Sequence, residues 1–294
     1  MSFLHNYLDN FYARTADAAS INLHIRSLLV FQMFSFIISP LFFAAGGIGY
    51  LGTVTVTLLA LLTGIPALII LSKSIRAGQK AEEIRVVQRE QPPMAGKEKL
   101  ALVYVLLFFT VVSVFLSMVT YIASDYYRFS DYSTKSGIAL MITSFAACLG
   151  VVLLKPLKEG EEAARKPDRY FRPRLQTLIT GTAFAMGLLL MLKISSSFTY
   201  FLFISVVLGY AYGLFLNSTR QYAVNISNFR NNTLFLTIYN NGQSISFVAS
   251  NILLACIWLI QKTTQLECYL LLFTLLLTIV VVQLVLLLRW RSWY

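Results

Sequence analysis

Two long apolar segments joined by a basic loop limit this chain to one class of structure. The segments are GIALMITSFAACLGVVLL (137–154) and LQTLITGTAFAMGLLLML (175–192), and the loop between them carries seven Lys or Arg. Each segment has 18 residues, close to the roughly 20 that cross about 30 Å of hydrocarbon at 1.5 Å per residue. Because lipid offers no hydrogen bonds to backbone groups, such segments cross it as uninterrupted helices. The pair predicts a transmembrane hairpin with a cytoplasmic loop.

The rest of the chain has the same apolar character. Of its 294 residues, 57% are hydrophobic and 13% are charged, and the mean hydropathy is +0.69. An ordinary soluble domain is less apolar and more charged. The sequence therefore predicts an all-α, polytopic transmembrane bundle of about eight spans. The predicted spans are residues 27–45, 51–71, 100–123, 137–154, 175–192, 198–216, 233–260 and 266–288.

The predicted spans divide the chain into four segments. These are a cytoplasmic N-terminal segment (1–26), a two-helix transmembrane hairpin (27–72), a cytoplasmic connector (73–99) and a six-helix transmembrane bundle (100–294). With the N-terminus inside, twenty of the 24 Lys and Arg lie in inner segments and four in outer loops. Because cytoplasmic loops carry the excess of Lys and Arg, we expect a multi-pass protein of the inner (plasma) membrane with both termini cytoplasmic.

The positions of the charged residues argue against several classes of function. The net charge of +11 comes from loops between apolar segments, so the expected partner is the lipid bilayer and not nucleic acid. All 13 carboxylates and both histidines lie in loops or at span edges. An intramembrane metal site, hydrolase or proton relay needs such groups at membrane depth. We therefore expect neither an enzyme nor a bound cofactor.

One candidate set of polar residues lies on the span at 100–123. Ser113 and Ser117 form a stripe with Thr110 and Thr120, at spacings of three and four residues that place them on one helix face. Small hydroxyl residues commonly mediate helix packing in membranes. The stripe is equally consistent with the wall of a polar cavity.

The span at 233–260 carries the densest polar set, on two opposite faces. One face has Thr237, Asn240, Asn241, Ser244 and Asn251, and the other has Tyr239, Gln243, Ser246 and Ser250. A helix that is polar on both faces is predicted to be buried in the bundle, with one face free to line a pathway. Structural packing is the competing interpretation. If the protein transports a solute, we expect Thr237, Asn240, Asn241 and Gln243 to contact it, with Ser113 and Ser117 across the cavity.

Two further features concern packing and the membrane surface. Gly209 and Gly213 on the span at 198–216 have the small-xxx-small spacing that allows close helix approach. The aromatic loop DYYRFSDY (125–132) predicts a belt of Tyr and Phe at headgroup level, with recognition of an external ligand as the alternative.

Several stretches resemble the major facilitator superfamily of transporters. STKSGIALMITSFAACLGVVLLKPL, with DRYFRPR beyond it, is similar to the eighth helix of that family and the loop that follows. LGYAYGLFLNSTRQYAV resembles the tenth helix, NNGQSISFVAS the eleventh helix of the drug-efflux branches, and SPLFFAAGG the Gly-Pro motif of the fifth helix in antiporters. The connector resembles the cytoplasmic link between the two halves. The resemblance covers most of residues 27–290 and the last eight of twelve helices.

The resemblance implies secondary transport of a small organic solute, as efflux. It also leaves the four N-terminal helices of the family, and their signature loop, without a counterpart. Secondary transporters of this type move one six-helix unit against another. The resemblance therefore implies either a shortened member that is inactive alone or one that assembles with a partner chain supplying the missing helices. A non-transporting membrane scaffold or assembly partner is the alternative function.

Overall fold

A computed structural model describes residues 29–30, 94, 96–153, 167–191, 197–230, 233–264 and 268–291. These residues are 95% helical and contain no strand. The predicted all-α class is therefore confirmed for this part of the chain. The predicted N-terminal segment and nearly all of the first two predicted spans and the connector lie outside the described residues.

Six α-helices make up the described structure. They are α1 (Gly96–Tyr121), α2 (Tyr132–Leu153), α3 (Pro167–Met191), α4 (Phe198–Arg230), α5 (Thr233–Thr264) and α6 (Cys268–Arg291). Helix α1 continues into one π-helical turn, Ile122–Tyr126. Helix α3 begins at Pro167, and proline is favoured at the first helical position because its missing N–H has no intrahelical acceptor there.

Five described helices are long and apolar enough to cross a bilayer. The candidate spans are Glu98–Tyr126, Tyr132–Leu153, Phe198–Ala223, Leu236–Thr263 and Tyr269–Arg289. Within the described residues, the apolar part of α3, Leu175–Leu189, is shorter than these five spans. The predicted count of eight spans is therefore not confirmed, although five of the predicted spans each match a candidate span. The protein is an integral, multi-pass membrane protein whose apolar helices contact the bilayer.

Helices α2 and α4 form the closest helix pair. Gly209 lies against the backbone of Thr143, and Gly213 against that of Ala147, so closely that an added Cβ would overlap a carbonyl oxygen. The prediction that these glycines allow close helix approach is confirmed. Both contacts, and the hydrogen bond from Asn217 to Val151, join residues that are 66 positions apart. A constant offset means that α2 and α4 run parallel.

Helix α1 runs antiparallel to both α4 and α6. The ring of Phe108 stacks on Phe215 of α4 with centroids 3.7 Å apart, and the turn after α1 places Tyr127 against Phe201, near the opposite end of α4. In the same way, Gln283 of α6 donates a hydrogen bond to the Tyr104 carbonyl at 3.0 Å, whereas residue 269 of α6 contacts residue 121 of α1.

The helix contacts repeat when α1, α2 and α3 are exchanged, in order, with α4, α5 and α6. The contact between α2 and α4 then corresponds to the contact between α5 and α1. The α3–α4 contact corresponds to the α6–α1 contact, and the α1–α2 contact corresponds to the α4–α5 contact. The exchange leaves the α1–α4 and α3–α6 contacts unchanged. Among the described residues, the α5–α6 contact lacks a counterpart of similar extent between α2 and α3, and the α3–α4 contact is more extensive than the α1–α6 contact. Because α1 and α4 are antiparallel, the two three-helix units are inverted relative to each other.

The loop after α1 folds back onto the bundle. The N–H of Tyr127 donates to the Ile122 carbonyl at 2.9 Å, and Arg128 has a left-handed φ of 52°. This reversal turns Tyr127 and Phe129 inward, where they are 4% and 8% exposed, while Arg128 faces outward. The two rings stack with centroids 5.3 Å apart. These two aromatic residues therefore belong to the core and not to the predicted belt at headgroup level.

Candidate functional site

The predicted site residues lie on two neighbouring helices. Ser113 and Ser117 are on α1, and Thr237, Asn240, Asn241 and Gln243 are on α5; all six are half-buried. The structure brings the two helices into contact.

Helix α5 packs on α1 where its own side chains are small. A Cβ added at Gly242 would lie 2.7 Å from Cδ2 of Leu106, and the Ser246 hydroxyl donates to the Leu106 carbonyl at 3.0 Å. The ring of Tyr239 lies 5.9 Å from that of Phe109. Tyr239, Ser246 and Ser250 are buried. The packing interpretation therefore applies to these three residues of this face of α5.

The opposite face carries Thr237, Asn240, Asn241, Ser244 and Asn251, which we call the polar stripe of α5. Ser244 and Asn251 are exposed, and the other three residues are half-buried. The prediction that this helix is buried in the bundle does not hold among the described residues. In the most apolar stretch of α5, 17% of the residues are buried, against 33–56% in the corresponding stretches of the other four candidate spans. The reason is that α5 makes its main contact through one face, on α1, which leaves Ser244 and Asn251 of the polar stripe exposed.

The two predicted sets of site residues are offset along the bundle. Helix α5 runs parallel to α1, since both run antiparallel to α4. Contacts join Leu106 to Gly242 and Ser246, and Phe109 to Tyr239. At 1.5 Å per residue, Ser113 lies about 3 to 18 Å further along the bundle than Asn241, depending on which of these contacts sets the level.

The hydroxyl stripe of α1 is used in two ways. Thr110 donates to the Leu106 carbonyl of its own helix at 2.9 Å, which is a common way to satisfy a threonine in a helix. The Ser117 Oγ is buried and has no hydrogen-bond partner within the described residues. A buried hydroxyl without a partner costs about 1–3 kcal/mol. Ser117 therefore retains the capacity to bind a polar ligand or a water molecule.

A buried polar segment on α4 was missed by the sequence prediction. The predicted span ended at Leu216, where polar residues begin, but α4 continues as a helix to Arg230. Every residue from 217 to 222 (NSTRQY) is at most 4% exposed. The available signal was the absence of Gly and Pro between Leu216 and Arg230, since these residues usually mark a helix end.

Hydrogen bonds from this segment join three helices. Gln221 donates through Nε2 to Oδ1 of Asn217 at 2.9 Å, and Asn217 donates through Nδ2 to the Val151 carbonyl of α2 at 2.9 Å. The hydroxyls of Thr219 and Tyr239 of α5 are 2.8 Å apart. These bonds hold the ends of α2, α4 and α5 together on the side where α2 ends.

Arg220 places a positive charge inside the bundle. It is 4% exposed and lies within the candidate span Phe198–Ala223, although the sequence prediction placed it in a cytoplasmic gap. Next to it, Ser218 Oγ and Gln221 Oε1 are buried without hydrogen-bond partners in the described part of the chain. A buried ionisable side chain is costly to keep, and such residues are enriched at functional sites. The NSTRQY segment is therefore a second candidate site beside the polar stripe of α5.

Metal ligation finds no support in the described ranges. No group of three or more His, Cys, Asp or Glu residues lies close enough there to hold a metal ion. Cys148 and Cys256 have free thiols. The arrangement offers uncharged donors and acceptors and one buried cation, which suit reversible binding of a polar solute.

Comparison with protein-family models gives no match, and no curated protein or solved structure matches the chain.

Proposed function

We propose that this protein is a secondary transporter of the major facilitator type, which exports a small organic solute across the inner membrane. The observation that carries the proposal is the repetition of helix contacts between α1–α3 and α4–α6. Inverted repeats of three helices are the building units of such transporters, and their solute sites lie where repeats meet.

The distribution of polar residues gives independent support. Ser244 and Asn251 of the polar stripe are exposed, and Asn240 and Asn241, like Ser113 and Ser117 on the adjacent α1, are half-buried. A face that met lipid alone would be apolar, because hydrocarbon offers no hydrogen bonds. We therefore expect Asn240 and Asn241 to bind the solute, with Ser113 and Ser117 across the cavity.

The proposed orientation follows from the distribution of basic residues. Of the 24 Lys and Arg, most lie between predicted spans on the side that also holds both termini. Such an excess faces the cytoplasm. The end of the bundle that holds Arg220 is then the inner end, and the loop that holds Arg128 is the outer end.

The test is transport by membrane vesicles of opposite orientation. Vesicles that contain the protein are incubated with a mixed pool of small organic solutes, and the enclosed solutes are identified by mass spectrometry. We expect inside-out vesicles to accumulate at least one solute, and an Asn240→Ala, Asn241→Ala double variant to lose at least about tenfold of that activity, the equivalent of 1.4 kcal/mol. A Gln176→Ala, Thr180→Ala variant is the matched control, since both residues are polar and exposed on α3.

The amount of protein in the membrane separates transport from the alternative of a scaffold. If the Asn240→Ala, Asn241→Ala variant loses transport at unchanged abundance, the asparagines act on the solute. If abundance falls in proportion to transport, they act in packing. If no solute accumulates with the unaltered protein and a partner protein co-purifies in fixed ratio, the scaffold function replaces the transporter.

A further inference from the structure

Asn251 is a polar residue in a place where a membrane helix can rarely keep one. It lies near the middle of the candidate span Leu236–Thr263, and its side chain is exposed. No hydrogen bond connects its amide to another group in the described part of the chain. An amide that faces hydrocarbon without a partner costs several kcal/mol. Something polar must therefore cover this position in the membrane.

We propose that a second copy of this chain covers it, with the polar stripes of two α5 helices facing each other. An asparagine amide is both a donor and an acceptor, so Asn251 can pair with its own counterpart. All copies cross the membrane in one orientation, and a twofold axis along the membrane normal therefore brings each Asn251 to the same depth as its partner's. Such an interface is self-complementary, as in most homodimers.

The neighbours of Asn251 on this face permit close approach. Ser244 and Ala255 lie about two turns before and one turn after it on the same side of α5, and both are small and exposed. Small residues at such spacings let two membrane helices approach and hydrogen-bond. The side chain of Val248, which is 57% exposed on the same face, would add an apolar contact between the two α5 helices.

The charge of Lys262 fixes where the two helices cross. Lys262 lies on the same side of α5, three turns beyond Asn251, and its ammonium sits 5.5 Å from the ring centroid of Trp258. Two such ammonium groups in contact would repel each other. The helices therefore cross near Asn251 and diverge towards Lys262, which leaves a space between them at the outer end.

The consequence of this dimer for solute transport rests on the proposed function. Each copy supplies one wall of the solute pathway, because the polar stripe of one α5 faces the polar stripe of the other. The solute site is then incomplete in a single copy. Alternating access would come from motion of one six-helix unit against its copy, as between the two halves of a transporter.

Disulfide cross-linking tests the interface directly. Cys148, Cys256 and Cys268 are replaced by Ala, Asn251→Cys is introduced, and membranes are treated with an oxidant. Because a disulfide requires Cα atoms within about 7 Å, we expect most of the protein to run as a dimer of twice 33.1 kDa. Val281→Cys is the matched control, since it lies near the middle of the α6 span and is 51% exposed. We expect it to remain monomeric.

The inference is overturned if Asn251→Cys and Val281→Cys cross-link to the same extent, or if Asn251→Cys does not cross-link. Single-molecule photobleaching in lipid-rich vesicles provides a second measurement: two steps support the dimer and a single step contradicts it. Asn251→Gln should keep the two-step population and Asn251→Val should lower it at least about tenfold, equivalent to 1.4 kcal/mol. Cross-linking of Asn251→Cys to a cysteine placed in residues 31–71 of the same chain would show that this segment covers the site, and would also overturn the inference.

Failure of the dimer and failure of transport are distinguishable. Solute accumulation by a protein that bleaches in one step would leave the transporter and remove the dimer. A stable dimer that accumulates no solute would leave the interface and remove the transport function.

Discussion

The side-chain amide of Asn217 donates a 2.9 Å hydrogen bond to the backbone carbonyl of Val151, and so joins α4 to the last turn of α2. Asn217 is 0% exposed, and Gln221 fixes the orientation of its amide by donating to Oδ1. Asn217 thus links a buried side chain of α4 to the backbone of α2.

Replacing Asn217 with Leu should destabilise the protein. The change removes the bond to the Val151 carbonyl and leaves the buried Gln221 amide without its Asn217 acceptor, at a cost of about 1–3 kcal/mol. The midpoint of thermal unfolding in detergent, followed by size-exclusion chromatography, should fall. Gln176→Leu, at an exposed site on α3, is the control and should leave the midpoint unchanged. Equal midpoints for the two variants would show that the bond contributes nothing.

Gly213 and Gly187 should respond in opposite ways to Ala. A Cβ at Gly213 overlaps the Ala147 carbonyl of α2, whereas a Cβ at Gly187 meets nothing within 4 Å. Gly213→Ala must separate α2 from α4, and overpacking of this kind costs about 1–3 kcal/mol or more. Gly187→Ala should stabilise α3 by about 0.5–1 kcal/mol, because alanine favours the helix. Unfolding midpoints of the two variants measure the difference, and a stable Gly213→Ala protein would contradict the close α2–α4 contact.

The contact between α5 and α1 should depend on shape more than on its hydrogen bond. Ser246→Ala removes the bond to the Leu106 carbonyl, and such bonds between membrane helices contribute about 0.6 kcal/mol on average. Gly242→Val places a branched side chain where Leu106 already lies 2.7 Å from an added Cβ, so it should cost more. Ser250→Ala is the control, because Ser250 donates only to Phe247 of its own helix. A larger loss from Ser246→Ala than from Gly242→Val would reverse this ranking.

The sequence is sufficient to locate the helices but not to orient them. Apolar length alone placed five spans, because lipid requires helices of that length. The same criterion ended the α4 span at Leu216, since polar residues that pack within a bundle cannot be distinguished in sequence from those that reach water. Periodicity separated the two polar faces of α5, but the face that packs on α1 depends on the fit of Gly242 to Leu106. That fit joins residues 136 positions apart, and no local pattern encodes it.

The buried phenol of Tyr127 should lower the stability of the folded protein in alkaline solution. Burial, with a smaller contribution from Tyr126, raises the pKa of its phenol above the ordinary value of 10.0. The unfolded chain therefore loses this proton near pH 10 while the folded chain retains it, so this contribution to stability is complete below pH 10 and decreases as the pH rises further. The Tyr127 hydroxyl has no hydrogen-bond partner in the described structure. Tyr127→Phe should therefore be neutral or stabilising by about 1 kcal/mol at pH 7.

Thermal unfolding between about pH 8 and 11 measures both effects of Tyr127→Phe. Its stability should fall less steeply above pH 10 than that of the unaltered protein, because the variant lacks the buried phenol. Tyr121→Phe, which removes the hydroxyl of a side chain that is 59% exposed at the same end of α1, is the matched control and should keep the original slope. Identical slopes for all three proteins would mean that the Tyr127 hydroxyl is also hydrated in the folded state, and the loop between α1 and α2 would then open to water at the outer end of the bundle.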